Sequence, residues 1–130
     1  MLDKPSSKKL SDVLDQFGAA LAANDIEKAV DCFQEDCYWR DLVTFTWNIK
    51  TMEGRDQVRD MLKSQLSNTR PSHFAIAKGE DATESGELIE GWISFETEAA
   101  RGFGHIRLKN GKIWTLLTTM AELKGHEEPA

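Results

Sequence analysis

The side chains best able to do chemistry in this sequence are two cysteines, three histidines and a carboxylate set beside a tryptophan. Cys32 and Cys37 have no further Cys or His at zinc-binding distance in the chain, so they read as two buried, unreactive thiols. His73, His105 and His126 are scattered over two strand-like segments and a tail, and no metal-ligand spacing connects them. His105 alternates with Gly104 and Ile106, which puts it on an outer sheet face near Arg107 and suits a subunit contact. His73, two residues past Pro71, starts a strand within reach of a pocket mouth. The carboxylate is Asp41. By strand alternation it shares a face with Cys37 and Trp39, while Tyr38 and Arg40 point the other way. A carboxylate beside an indole in apolar surroundings is placed for proton transfer. The plainer alternative is a strand-end carboxylate paired with Arg40, Arg55 or a loop amide. Four tryptophans, Trp39, Trp47, Trp92 and Trp114, exceed what a small core requires. Alternation assigns Trp92 to the outer face and puts Trp39 on the opposite face with Asp41, and the alternative is that all four tryptophans are core packing.

The elements that must position these groups follow from periodicity. Leu10, Val13, Leu14, Phe17 and Leu21 recur at helical spacing after a Ser6-Ser7 pair suited to capping, which predicts a helix over 7–23. Asp25 caps a short second helix with Ile26, Ala29, Val30 and Phe33 inward. The period then changes to two, predicting strands over 37–42 and 44–52, where Phe45, Trp47 and Ile49 alternate with polar residues. A third helix covers 54–67, with Val58, Met61, Leu62 and Leu66 on one side. Strands follow over 72–78, 87–97, 102–109 and 112–122, with a turn-rich stretch over 81–86. Asn110-Gly111 is the strongest turn signal. A two-residue loop would pair Leu108 with Ile113. A three-residue loop with a bulge at Gly111 would pair Leu108 with Lys112, and it is the favoured reading because it gathers Trp114, Leu116 and Met120 on the face of Ile106 and Leu108. Helices followed by strands describe an α+β fold, three helices on a curved antiparallel sheet.

Composition narrows the function. The 130 residues suit one domain with a real apolar core, since 40% are hydrophobic. With 16 Lys plus Arg against 22 Asp plus Glu the net charge is −6, which repels phosphate backbones, so nucleic acid is not an expected partner. No apolar run reaches membrane-spanning length, and the start MLDKPSSKK has neither secretory nor transit character, so the expected compartment is the cytoplasm.

The helical hairpin ending in AANDIEKAVDCFQEDCYWRD, the helix of EGRDQVRDML and the strands after it resemble the nuclear transport factor 2-like superfamily, which includes ketosteroid isomerases and SnoaL-like cyclases. More narrowly, CYWRDLVTFTWNIKTMEGRD and IRLKNGKIWTLLTTMAELKGHEEP resemble the amino-terminal extension of some flavin-containing monooxygenase-like proteins. In those proteins a flavoprotein domain follows; this chain stops at Ala130 and carries no GxGxxG fingerprint after a strand, so no flavin or other cofactor is expected on it. The resemblance implies a cone-shaped fold around a deep pocket, often dimeric through the outer face of its sheet. It places the isomerases' general base on Asp41 and their oxyanion donors on Phe17 and Gly104, neither of which can donate from its side chain. An oxyanion would then need Thr118 or an indole N–H. The expected ligand-binding residues are Phe17, Leu21, Trp39, Trp47, Phe95, Ile106, Trp114, Leu116 and Thr118. Expected partners are a small hydrophobic molecule, a second copy of the chain and a flavoprotein. The two competing functions are metal-free proton transfer by Asp41, as in an isomerase, cyclase or hydratase, and a non-catalytic accessory or dimerisation module.

Overall fold

The computed structural model describes residues 5–42, 44–46 and 49–123. Helix α1 (Pro5–Ala22) and the short α2 (Ile26–Asp31) form the hairpin, with the Asp25 carboxylate accepting from the Lys28 backbone N–H at 3.2 Å. Ser6 and Ser7 are not caps, as their position suggested, but lie within the first turn. Their hydroxyls tie α1 to the stretch before the fourth strand: Ser6 donates to the Ala82 carbonyl, and Ser7 accepts from the Ala82 N–H at 3.0 Å.

Strand β1 (Phe33–Leu42) starts earlier than predicted, because Phe33 ends the hairpin and already lies inward. The expected long strand over 44–52 is only β2 (Ile49–Glu53), preceded by a bend at 44–46. Helix α3 (Gly54–Thr69) follows, then β3 (Ser72–Ile76), the short β4 (Thr83–Ser85) in the stretch expected to be turn, β5 (Leu88–Glu96), β6 (Ala100–Lys109) and β7 (Lys112–Leu123). The sheet runs β2-β1-β7-β6-β5-β3, with β4 also on β5. It is antiparallel except between β1 and β7, which run parallel. Its concave face packs against α1 and α3.

The β6–β7 turn departs from the favoured reading. Asn110 and Gly111 both take positive φ, 52° and 80°, the pair of angles a two-residue hairpin turn needs, and Leu108 opposes Ile113. The bulge lies beyond the turn: Arg107 opposes Thr115, so Trp114 is the extra residue. Ile113 and Leu116 therefore both point inward, while Trp114 is pushed out, half-buried, with Lys109 Nζ 5.6 Å from its ring centroid. The pocket role expected of Trp114 is thus not available to it.

Two glycines let the sheet close tightly. The Phe95 ring lies over Gly102, where a Cβ would sit 2.5 Å from Phe95 Cζ. At Gly104 a Cβ would run into the Leu117 carbonyl oxygen of β7.

Candidate functional site

Burial alternates along β1 as the sequence suggests: Cys37, Trp39 and Asp41 lie inward and buried, and Tyr38 and Arg40 outward and exposed. Asp41 is wholly enclosed, and its carboxylate is surrounded by donors. One oxygen, Oδ2, accepts from the Phe45 N–H at 2.9 Å, the Thr46 N–H at 2.8 Å and the Thr46 hydroxyl at 3.0 Å. The other, Oδ1, accepts from the Thr118 hydroxyl at 2.7 Å, and that hydroxyl accepts in turn from the Trp39 indole N–H at 2.8 Å. This is the plainer alternative realised with loop amides. The two arginines that competed for it are engaged elsewhere, Arg55 on the Phe33 carbonyl and Arg40 on the Thr51 hydroxyl. Local sequence explains the arrangement: an Asp at a strand end can take the amides four and five residues on, which folds the chain back and stops a second strand from starting at Thr44.

Of the remaining residues expected around a ligand, Phe17, Leu21, Phe95, Ile106 and Leu116 lie in the inner core, and Thr118 is fully buried beside Asp41. Trp47 lies outside the described residues, as does His126. The inward residues enclose one another rather than a wide space. Phe17 meets Phe33, Trp39 and Phe74 edge-on at 5.4–6.0 Å, and Phe74 stacks on Phe95 at 5.2 Å. Phe45, from the bend, sits 4.9 Å from Trp39 and 6.0 Å from Phe95. Periodicity had made Phe45 one of a row of strand residues; only the capping geometry of Asp41 explains why it is core. The oxyanion positions implied by the resemblance are closed too, since Phe17 is packed among rings and Gly104 has no room for a side chain.

Burial pushes the Cys37 and Cys32 thiols above the ordinary cysteine value, and both are free. His73 is an exposed residue, 2.9 Å from the Ser72 hydroxyl and 3.6 Å from Glu96 through the same ring nitrogen. That geometry cannot relay a proton between the two, because a relay needs both ring nitrogens.

The outer face differs. Trp92, His105 and Phe103 form an aromatic cluster there, with Trp92 4.7 Å from His105 and 6.0 Å from Phe103. Across β7, Tyr38 and Arg40 form the far bank of a shallow trough of about 450 Å³, whose near bank is Trp92, His105 and Arg107. Arg107 pairs with Glu90 at 3.1 Å. No helix among the described residues is long and apolar enough to cross a membrane.

Helices on the concave side of a strongly curved sheet define the cystatin-like, nuclear transport factor 2-like fold. Residues 14–116 match the SnoaL-like domain family, and the chain belongs to it. Similar solved structures agree on the fold. A Nostoc punctiforme domain of unknown function with a cystatin-like fold has a TM-score of 0.71 at 11% identity, over 90% of this chain and 78% of that one. A putative isomerase from Bacillus subtilis has 0.62 at 15% identity, over 89% and 88%. The Orange Carotenoid Protein of Anabaena, solved binding canthaxanthin, has 0.65 at 14% identity over 85% of this chain, which spans only 36% of that protein's length. No curated protein shows significant sequence similarity to the chain.

Proposed function

We propose that this SnoaL-like domain is a non-catalytic association module that pairs with a second copy of itself through the outer face of its sheet. The observation that carries this reading is where its exposed apolar side chains lie. Among the described residues the large hydrophobics left open to solvent are Tyr38, Ile49, Trp92 and Phe103, 43–67% exposed, and strand register directs all four outward. Apolar residues scattered singly need no explanation, but four on one face, two of them in ring contact, do.

Size and charge suit a twin. Strands ~4.8 Å apart and about nine residues long give the five strands from β2 to β5 a projected area on the order of 600 Å². That is close to the ~800 Å² that each partner contributes to a stable interface. The face carries both signs, Arg40 and Arg107 with Glu90, as a self-complementary patch requires. The reading of Asp41 as a base has less support, because a general base needs an oxygen free to reach a substrate proton and both oxygens of Asp41 are engaged by the protein's own donors.

Sedimentation equilibrium between about 5 and 500 μM tests the proposal. The wild type is expected to dimerise, and Trp92→Ser to raise the dimer Kd at least tenfold, as loss of a central aromatic anchor does. A wild type that is monomeric throughout this range overturns it. A complex with a flavoprotein that Trp92→Ser abolishes would give the face to that partner instead.

A further inference from the structure

The register of the sheet bears on how pairing through its outer face is regulated. Trp92 is the middle outward residue of β5 and His105 that of β6. The two oppose each other, and their row continues through Leu117 on β7 to Arg40 on β1. His105 is half-buried where its outward neighbours Phe103 and Arg107 are exposed, because the Trp92 ring stands edge-on to it with centroids 4.7 Å apart. The charged and titratable groups around it are Glu90 from β5, Arg107 from its own strand, and Arg40 and Tyr38 from β1. Thr115, Leu117 and Thr119, which face it from β7, carry no charge. Glu90 is held by Arg107 at 3.1 Å, and Arg40 donates to the Thr51 hydroxyl at 3.1 Å. Symmetry then decides what His105 meets. The axis relating two sheets packed face to face lies in the plane between them, and aligned sheets leave it two directions, along the strands or across them. In both, the central row of one copy lies on the central row of the other. That row holds Arg40, Leu117, His105 and Trp92, and no carboxylate.

We propose that His105 is a proton-operated release for this pairing: neutral, it packs into the paired face, and protonated, it separates the two copies. The inference rests on the self-association proposed above. Two imidazolium ions enclosed between the sheets, or one set against Arg40, lose water and gain no opposite charge in return. In the single chain burial already holds this imidazole below the ordinary histidine value, while Glu90 pulls it up and Arg107 pushes it down. A second copy buries it further. The pair therefore binds this proton less readily than the free chains do. Pairing is at full strength above the histidine range and weakens as the solution is acidified through it. Overall charge works in the opposite sense. At a net charge of −6 the copies repel each other, and acid that neutralises their carboxylates reduces that repulsion, so weaker pairing at low pH is a local effect.

Sedimentation equilibrium at about pH 8, 6.5 and 5.5, with near-UV circular dichroism to establish the fold at each pH, tests this. The wild-type dimer Kd is expected to rise about fivefold or more from the highest pH to the lowest. His105→Gln has no charge to gain and should show no such rise, and His105→Lys, charged throughout, should pair about tenfold or more weakly than the wild type at pH 8. The double variant His73→Gln/His126→Gln leaves His105 as the one histidine and should keep the full rise. Should His105→Gln not pair, that double variant decides, and loss of the rise in it overturns the role of His105. A wild type that pairs at pH 8 and keeps the same Kd at pH 5.5 overturns the release and leaves the pairing standing. A wild type that is monomeric at every pH overturns both. A Kd that falls on acidification would set a carboxylate of the second copy against His105 and overturns the release as well.

Discussion

The two faces of this sheet are built from similar residues and treated oppositely. The concave face carries Phe33, Trp39, Phe95 and Ile106, and α1, α3 and the bend at 44–46 cover them so fully that these residues are at most 2% exposed. The convex face carries Tyr38, Trp92 and Phe103, and nothing within the described chain covers them. Polar groups divide in the same way. Inside, Asp41, Thr118 and Trp39 saturate one another and the loop amides, whereas outside Arg107, Glu90 and Arg40 form exposed contacts of low individual worth. The inner face therefore carries the stability, the outer face is the one left uncovered for the pairing we propose, and substitutions should separate the two.

The largest effect is expected where the sheet closes. Gly104→Ala forces β6 and β7 apart at the Leu117 carbonyl, with a loss of about 4 kcal/mol or more and a melting temperature lower by over about 10 °C in calorimetry. A variant that melts normally would mean the strands have slack. Next is the loop anchor. Asp41→Ala strands two amides and two hydroxyls and should cost about 3 kcal/mol in urea unfolding, whereas Asp41→Asn, which keeps one acceptor, should cost about half of that. Equal losses would show that the acceptor oxygen Asn retains contributes nothing.

Across the sheet the pattern reverses: Trp92→Ser should change monomer stability by no more than about 0.5 kcal/mol, measured at a concentration too low for pairing. A larger loss would make Trp92 a core residue in disguise.

The smallest effect belongs to His105. Burial holds its imidazole below the ordinary histidine value, Glu90 pulls it back up and Arg107 pushes it down. The folded chain thus binds this proton less readily than the unfolded chain. Stability from this group is complete above the histidine range and falls as the solution is acidified through it. Between pH 7.5 and 5.5 the wild type should lose about 1–2 °C more in melting temperature than His105→Gln, and parallel curves would exclude His105.

Sequence periodicity carried most of the architecture because burial on one side imposes it. Leu10, Leu14, Phe17 and Leu21 mark α1, and the alternation from Cys37 to Asp41 marks β1, with no need for tertiary information. What was not legible depended on a contact between distant residues or on one backbone angle. Phe45 looked like a strand residue because alternation cannot register that Asp41 captures the amides of residues 45 and 46. Trp114 looked like a pocket residue because the two turns open to Asn110-Gly111 differ by one residue, and the bulge that restores the inward direction of Leu116 comes after the turn. Ser6 and Ser7 looked like caps because Ala82, their actual partner, lies 75 or more residues away in the chain. The outward place of Trp92 and His105 followed from alternation alone, since β5 and β6 pair without a shift from Leu88 to Glu96.

The parallel pairing of β1 with β7 has a kinetic consequence. Trp39 and Thr118, joined through one hydrogen bond, are 79 residues apart in the chain. During synthesis β1 emerges well before β7 and must wait for it before Trp39 and Asp41 can bond to Thr118. Its aromatic strip stays without its neighbour while β5 and β6, linked by a short turn, can already pair. Closing so long a loop late in the process makes the final strand's docking the natural slow step of refolding. Until it docks, β1 presents an open edge to any other chain nearby.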